Sequence, residues 1–170
     1  MLSFWNKRRS RAGFTLVEVL AVLLVIAILV GMTLAAAQYV IKVARKNRAQ
    51  VTAAALQVAL ATYRHEYNKW PVGGLPVSAN NVVTASGVNN ASVFGSLRAS
   101  AGETNIKKIQ FLDETTVFTY VAGQGFKTLN QMADVTPFPI AYMDRKGNVQ
   151  YYTVTIDLDN DTVAVTLPSI

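Results

Sequence analysis

Residues 13–41 read GFTLVEVLAVLLVIAILVGMTLAAAQYVI, and no charged residue falls between Glu18 and Lys42. The uncharged run Val19–Ile41 is 23 residues long, about 34 Å of helix at a rise of roughly 1.5 Å per residue. A bilayer's hydrocarbon core is about 30 Å thick, so the segment is long enough to span one. A single carboxylate, Glu18, stands at its leading edge, behind Gly13-Phe14 and a basic stretch carrying Lys7, Arg8, Arg9 and Arg11. On insertion scales a carboxylate at membrane depth costs roughly 2.5–3.5 kcal/mol, and it persists where it has a partner. The next basic residue after Glu18 is Lys42. A cationic partner for Glu18 must therefore come from elsewhere.

The stretch Gly13-Phe14-Thr15-Leu16-Val17-Glu18-Val19-Leu20, behind a short basic leader, resembles the class III signal of type IV pilins and type II secretion pseudopilins. The resemblance implies that residues 1–13 are a leader peptide, cut after Gly13 by a membrane-embedded prepilin peptidase. It implies that Phe14 becomes an N-methylated mature N-terminus. Glu18, fifth in the mature chain, would then pair with the Phe14 amine of a neighbouring subunit and set the register of helices stacking into a filament. The implied partners are further copies of the chain or other pilins and pseudopilins, the prepilin peptidase, an inner-membrane assembly platform and the membrane. The implied location is the bacterial inner membrane, single-pass, with leader in the cytoplasm and head in the periplasm, and later a periplasmic or extracellular filament.

Charge counting alone does not set that orientation. Lys42, Arg45, Lys46 and Arg48 balance the four basic residues of the leader, and positive residues favour the cytoplasmic side. A secretory signal peptide cleaved near Ala35-Ala36-Ala37 is the rival reading. The apolar run before that site is longer than the usual 7–15 residues, and the rival leaves Gly13-Phe14 and Glu18 unexplained.

At 170 residues the chain accommodates one modest domain plus a membrane segment. Its formal charge of +6 overstates its basicity. Four of the sixteen basic residues lie in the leader, so twelve face ten acidic ones without it, a net +2. Such a balance gives little support to a nucleic-acid partner. There is no cysteine, so the head is expected to fold without the disulfide that closes the C-terminal loop of many type IV pilins.

Helical character continues past Ile41. Residues 42–67 contain no Gly or Pro and are rich in Ala, Leu, Gln, Arg and Lys, good helix formers. Ala44, Val51, Ala55, Val58, Ala59 and Tyr63 recur at helical spacing and are expected to dock on a head. Gly31 is the weak point of the helix, either a site of local melting or a small residue for close packing. Ala35 stands where many pilins carry a helix-breaking proline. Asn68-Lys69-Trp70-Pro71 should end the helix. His65, with no second His and no Cys, is expected in a solvated or capping role rather than on zinc.

Residues 72–105 are dominated by Gly, Ser, Asn and Ala and read as loop, with one short helix at Ala91–Ala99. The last third reads as strands: Thr116–Val121, Pro139–Met143, Val149–Ile156 and Thr162–Leu167. Asp144–Asn148 and Asp157–Asp161 separate them as hairpin loops, and a meander of three or four strands is the economical topology. The predicted fold class is α+β: a long N-terminal spine helix packed on a C-terminal antiparallel sheet, the pilin fold. The expected organisation is leader 1–13, transmembrane and assembly half 14–41, amphipathic half 42–69 and globular head 70–170. The head divides into a loop region 70–115 and a sheet 116–170.

Asp157, Asp159 and Asp161 put three carboxylates on one turn, hard oxygen ligands suited to calcium. The turn is no EF-hand, since Thr162 stands where glycine is required and Pro168 where glutamate is. Calcium is therefore a candidate cofactor beside a plain solvated turn. Catalysis finds no support: one His, no Cys, no phosphate-cradling glycine loop, and in Asp113-Glu114 an adjacent pair that points apart on a strand. No enzyme is expected. The favoured function is a structural filament subunit, a type II secretion pseudopilin, on the absence of cysteine and the acidic C-terminal loop. A pilin for adhesion, motility or DNA uptake, and a helix-anchored periplasmic binding module, stay open.

Overall fold

The computed structural model describes residues 13–99, 104–132 and 139–168; the leader ahead of Gly13 lies outside them. One long helix, α1, covers Leu16–Tyr67. The chain divides into two units, with the boundary between Val40 and Ile41. In the first unit every described side chain is exposed, from Phe14 at 84% to Val40 at 62%. Among the described residues α1 is the one helix long and apolar enough to cross a membrane, with a mean hydropathy of 2.9 over its most apolar window. The helix runs through Gly31 without a break. A Cβ added there would meet nothing within 4 Å, so the glycine serves no close contact with the described residues.

The remainder of α1 belongs to the second unit and buries Ala49, Ala53, Leu56, Ala59, Leu60 and Tyr63, a stripe of three- and four-residue steps. The expected docking face is corrected here. Ala59 and Tyr63 are buried as anticipated, but Ala44, Val51, Ala55 and Val58 face outward. The two leucines decide the outcome, because each removes far more apolar area from water than an alanine. The helix ends as Asn68 turns left-handed at φ 52°, a conformation asparagine tolerates at a helix C-terminus. Arg64 Nη1 donates to its side-chain oxygen at 2.7 Å. Trp70-Pro71 follows the turn instead of making it.

Three small antiparallel sheets complete the second unit. The largest joins β1 (Val82–Ala85), β6 (Thr153–Asp157) and β7 (Thr162–Thr166), with β6 in the middle. Hairpins β2 (Phe118–Val121) with β3 (Gly125–Thr128) and β4 (Ala141–Met143) with β5 (Val149–Tyr151) form the others. The α+β class stands, and the loops at Asp144–Asn148 and Asp157–Asp161 are hairpin turns as expected. The single meander is not what forms. Strand β1 comes from the stretch read as loop, where Val82 and Val83 supply β propensity amid glycine and asparagine. Strand β3 was hidden by its glycine and lysine. The run Val149–Ile156 breaks at Tyr152 and feeds two different sheets. The short helix expected at Ala91–Ala99 is α2, Asn90–Phe94, flanked by 3₁₀ turns at Gly87–Asn89 and Gly95–Leu97.

A buried amide explains the break. Asn90, fully buried, donates through Nδ2 to the carbonyls of Ile140 and Tyr152, both at 2.9 Å, and accepts the Ile140 amide at 2.9 Å. Tyr152 thereby leaves the strand while its ring packs in the core, its hydroxyl donating to the Ala49 carbonyl at 3.2 Å. A second buried amide, Asn105, accepts from the Tyr67 hydroxyl at 2.7 Å and donates to the Arg98 carbonyl at 2.8 Å. Arg98 meets Glu114 in a fork, at 3.0 and 3.3 Å. Removing a buried partner strands the groups it satisfied, at about 1–3 kcal/mol each. Asn90→Ala in the full chain should therefore lower unfolding free energy by about 2 kcal/mol or more. The exposed neighbour Asn89→Ala should change it by less than about 0.5 kcal/mol. Denaturant unfolding in detergent measures both.

Candidate functional site

The start of α1 holds the residues singled out by sequence. Thr15 and Glu18 close a capping box: the Thr15 amide and hydroxyl donate to Glu18 Oε2 at 2.8 and 2.9 Å, and the Glu18 amide donates to Thr15 Oγ1 at 3.3 Å. Each side chain satisfies an amide that the helix end leaves without an internal partner. The reciprocal pattern was legible as Thr-x-x-Glu ahead of an apolar run, a signal that the resemblance overshadowed. Both bonds to the carboxylate fall on Oε2, and among the described residues no donor reaches Oε1. Phe14 is exposed beside it, and Gly13 has open space around its Cα.

The acidic turn is arranged differently. Asp157 Oδ1 accepts the amides of Asp159 and Asn160 at 3.0 and 2.9 Å, and Oδ2 accepts Asn160 Nδ2 at 2.7 Å. Asp159 Oδ1 accepts Asn81 Nδ2 at 2.8 Å. Asp161 Oδ1 accepts Arg64 Nε at 2.7 Å and Trp70 Nε1 at 2.8 Å. The turn is thus tied to the end of α1 and to the segment before β1. Three carboxylates that serve three separate partners do not converge on one cation. Among the described residues no group of three His, Cys, Asp or Glu side chains is placed to hold a metal. As they stand, Asp157, Asp159 and Asp161 do not fit a shared calcium ion. The Arg64 bond, helped by Trp70, holds the Asp161 carboxyl below its ordinary range. Asn160 does the same for Asp157, with its side chain first and its amide second.

Elsewhere, His65 is exposed near the end of α1. Asp113 accepts the Thr115 amide and hydroxyl in a turn, whereas Glu114 pairs with Arg98. The two adjacent carboxylates are apart in role, as their spacing implied.

Residues 8–34 match the model of the prokaryotic N-terminal methylation motif. The chain carries a pilin-type signal. The matched span contains Gly13, Phe14 and Glu18 and supports a type IV pilin-like family, one whose members are structural. A pilin-type motif implies processing by prepilin peptidase and assembly into a filament, and the apolar helix behind it is compatible with a membrane anchor. No curated protein and no solved structure matches the chain.

The turn geometry makes a test of calcium direct. A cation bound only by the folded state at a hundred times its dissociation constant stabilises by about 2.7 kcal/mol, several degrees in a chain of this size. Unfolding midpoints of the full chain with calcium and with chelator should coincide. Since the carboxyls of Asp157 and Asp161 are lowered in the fold, their contribution is complete above the ordinary aspartate range, about pH 4. It is lost as pH falls through their lower folded values. Asp161→Asn should blunt that acid sensitivity more than Asp159→Asn.

Proposed function

We propose that the chain is a structural subunit of a type IV pilus-like filament, specifically a type II secretion pseudopilin. Prepilin peptidase cuts after Gly13, Phe14 is methylated, and the subunit waits in the inner membrane with its head in the periplasm. It then joins other pseudopilins through the assembly platform. One observation carries the reading: Glu18 stands at the entry to 23 uncharged helical residues whose described side chains are exposed. An anchor needs only the apolar run and a capped helix start, so it is a use for the carboxylate between subunits that separates a filament subunit from an anchor. The capping box supplies a use within one subunit, and Oε1 supplies a second between subunits. The Phe14 amine of a neighbour is the cation the sequence lacks, and it fixes register where Leu and Val packing is slippery. Absence of cysteine supports the pseudopilin over disulfide-closed pilins.

Glu18→Ala removes the carboxylate from lipid, so insertion should be as good as in the parent or better. Cleavage after Gly13 should survive, because it precedes contact between subunits. Filament yield, measured by shearing or cross-linking, should fall by about tenfold or more, the scale of one lost charge-assisted hydrogen bond. Glu18→Gln should fall between. Normal filaments from Glu18→Ala overturn the proposed pairing.

A further inference from the structure

The second unit contains a cavity of about 240 Å³ whose chemistry the filament role does not use. Its walls include Phe118, Phe126, Met143 and the core residue Tyr152, with Arg45 and Arg48 of α1 at its edge. The Arg48 guanidinium lies over the Phe118 ring, 5.9 Å from its centroid. Arg45 Nη1 lies 3.5 Å from where a Cβ on Gly147 would stand, at a turn residue with φ +93°. Neither arginine has an ion-pair partner among the described residues, whose pairs are Arg64–Asp161, Arg98–Glu114 and Lys107–Glu66. Asp144, in the β4–β5 turn, is engaged by the amide and side chain of Asn148. An aromatic and aliphatic pocket with two uncompensated guanidinium groups beside it is complementary to an amphiphile with an anionic head.

Its position along the helix selects the amphiphile. Arg45 and Arg48 follow Ile41, the last residue of the uncharged run, by about 6 and 10 Å of helical rise. The polar layer of a bilayer extends roughly 5–8 Å beyond each face of the hydrocarbon core. Arg45 therefore falls within that layer and Arg48 just beyond it, with its long side chain tilted back toward the helix N-terminus, given the membrane reading above, on which this inference rests. We infer that this cavity binds an anionic phospholipid, its phosphate clasped by Arg45 and Arg48 and its apolar part seated against Phe118, Phe126 and Met143. Guanidinium suits the task, because it forks onto phosphate and stacks on aromatic faces where an ammonium does not. The site holds the head at the membrane surface while the subunit awaits assembly, and extraction into the filament releases the lipid.

The test uses the full, processed chain in a nonionic detergent, with bound lipid counted by native mass spectrometry. The probes are short-chain phosphatidylglycerol, short-chain phosphatidylcholine and inorganic phosphate. The parent chain should retain phosphatidylglycerol in preference to phosphatidylcholine. Inorganic phosphate should not displace it, for want of the apolar part. Arg45→Gln with Arg48→Gln should lose at least about tenfold more of that preference than Lys42→Gln with Lys46→Gln. The lysine pair removes the same charge from the same stretch of helix without lining the cavity. Equal loss in both doubles would reduce the effect to diffuse attraction and overturn the site, and displacement by inorganic phosphate would make it a plain anion site. Loss of self-association without loss of lipid in the arginine double would assign the surface to a second copy. Alkaline extraction of cell membranes separates the two levels. A chain that washes off fails the membrane reading itself, whereas one that stays but shows no lipid preference fails this inference alone.

Discussion

Everything in this chain answers to apolar surface that its own fold does not cover. Between Phe14 and Val43, nineteen large apolar side chains are exposed. Burying one such side chain fully is worth roughly 1.5–3 kcal/mol, so the set represents tens of kcal/mol against a typical domain stability of about 5–15 kcal/mol. No arrangement of the remaining residues offsets that in water. In the proposed role the segment is covered by lipid and then, in an assembled state, by other helices. Two environments of similar apolarity explain how one surface serves both storage and assembly. Lipid tails and leucine side chains are near equivalents.

That equivalence also creates a problem of register, since leucine and valine packing alone fixes an axial position poorly. In the proposed filament Glu18 is the polar element that resolves it. Within the subunit its carboxylate closes the Thr15 capping box, which lowers the penalty of carrying a charge at the edge of the membrane. Because both bonds use one oxygen, capping and the proposed pairing do not compete for the same atom. The far end of the uncharged run is marked by cations instead, and the cavity beside Arg45 and Arg48 is where we infer a specific use for two of them.

Legibility in the sequence was uneven for physical reasons. The run Val19–Ile41 and the Thr15–Glu18 box are local patterns, readable from spacing alone. The buried stripe of the second half of α1 was not, because that stretch is apolar on more than one face and only the partner surface selects Leu56 and Leu60 over Val51 and Val58. Strand Val149–Ile156 looked continuous because nothing local shows that Asn90, more than fifty residues earlier, takes the Tyr152 carbonyl. The acidic turn showed its charges but not their partners. Arg64, Trp70 and Asn81 are distant in sequence, and they separate three carboxylates that spacing had grouped. Polar contacts across long loops decided the strand break and the acidic turn, and apolar burial decided the face of α1.

Maturation by cleavage at the start of this helix leaves its mark in the mass of the processed protein. Intact-mass and N-terminal sequencing of the chain purified from membranes should show a protein that begins at Phe14 with one methyl group on its amine. A mature protein that begins after Ala37 would contradict this, because Glu18 and most of the uncharged run would then have been discarded as a secretion signal.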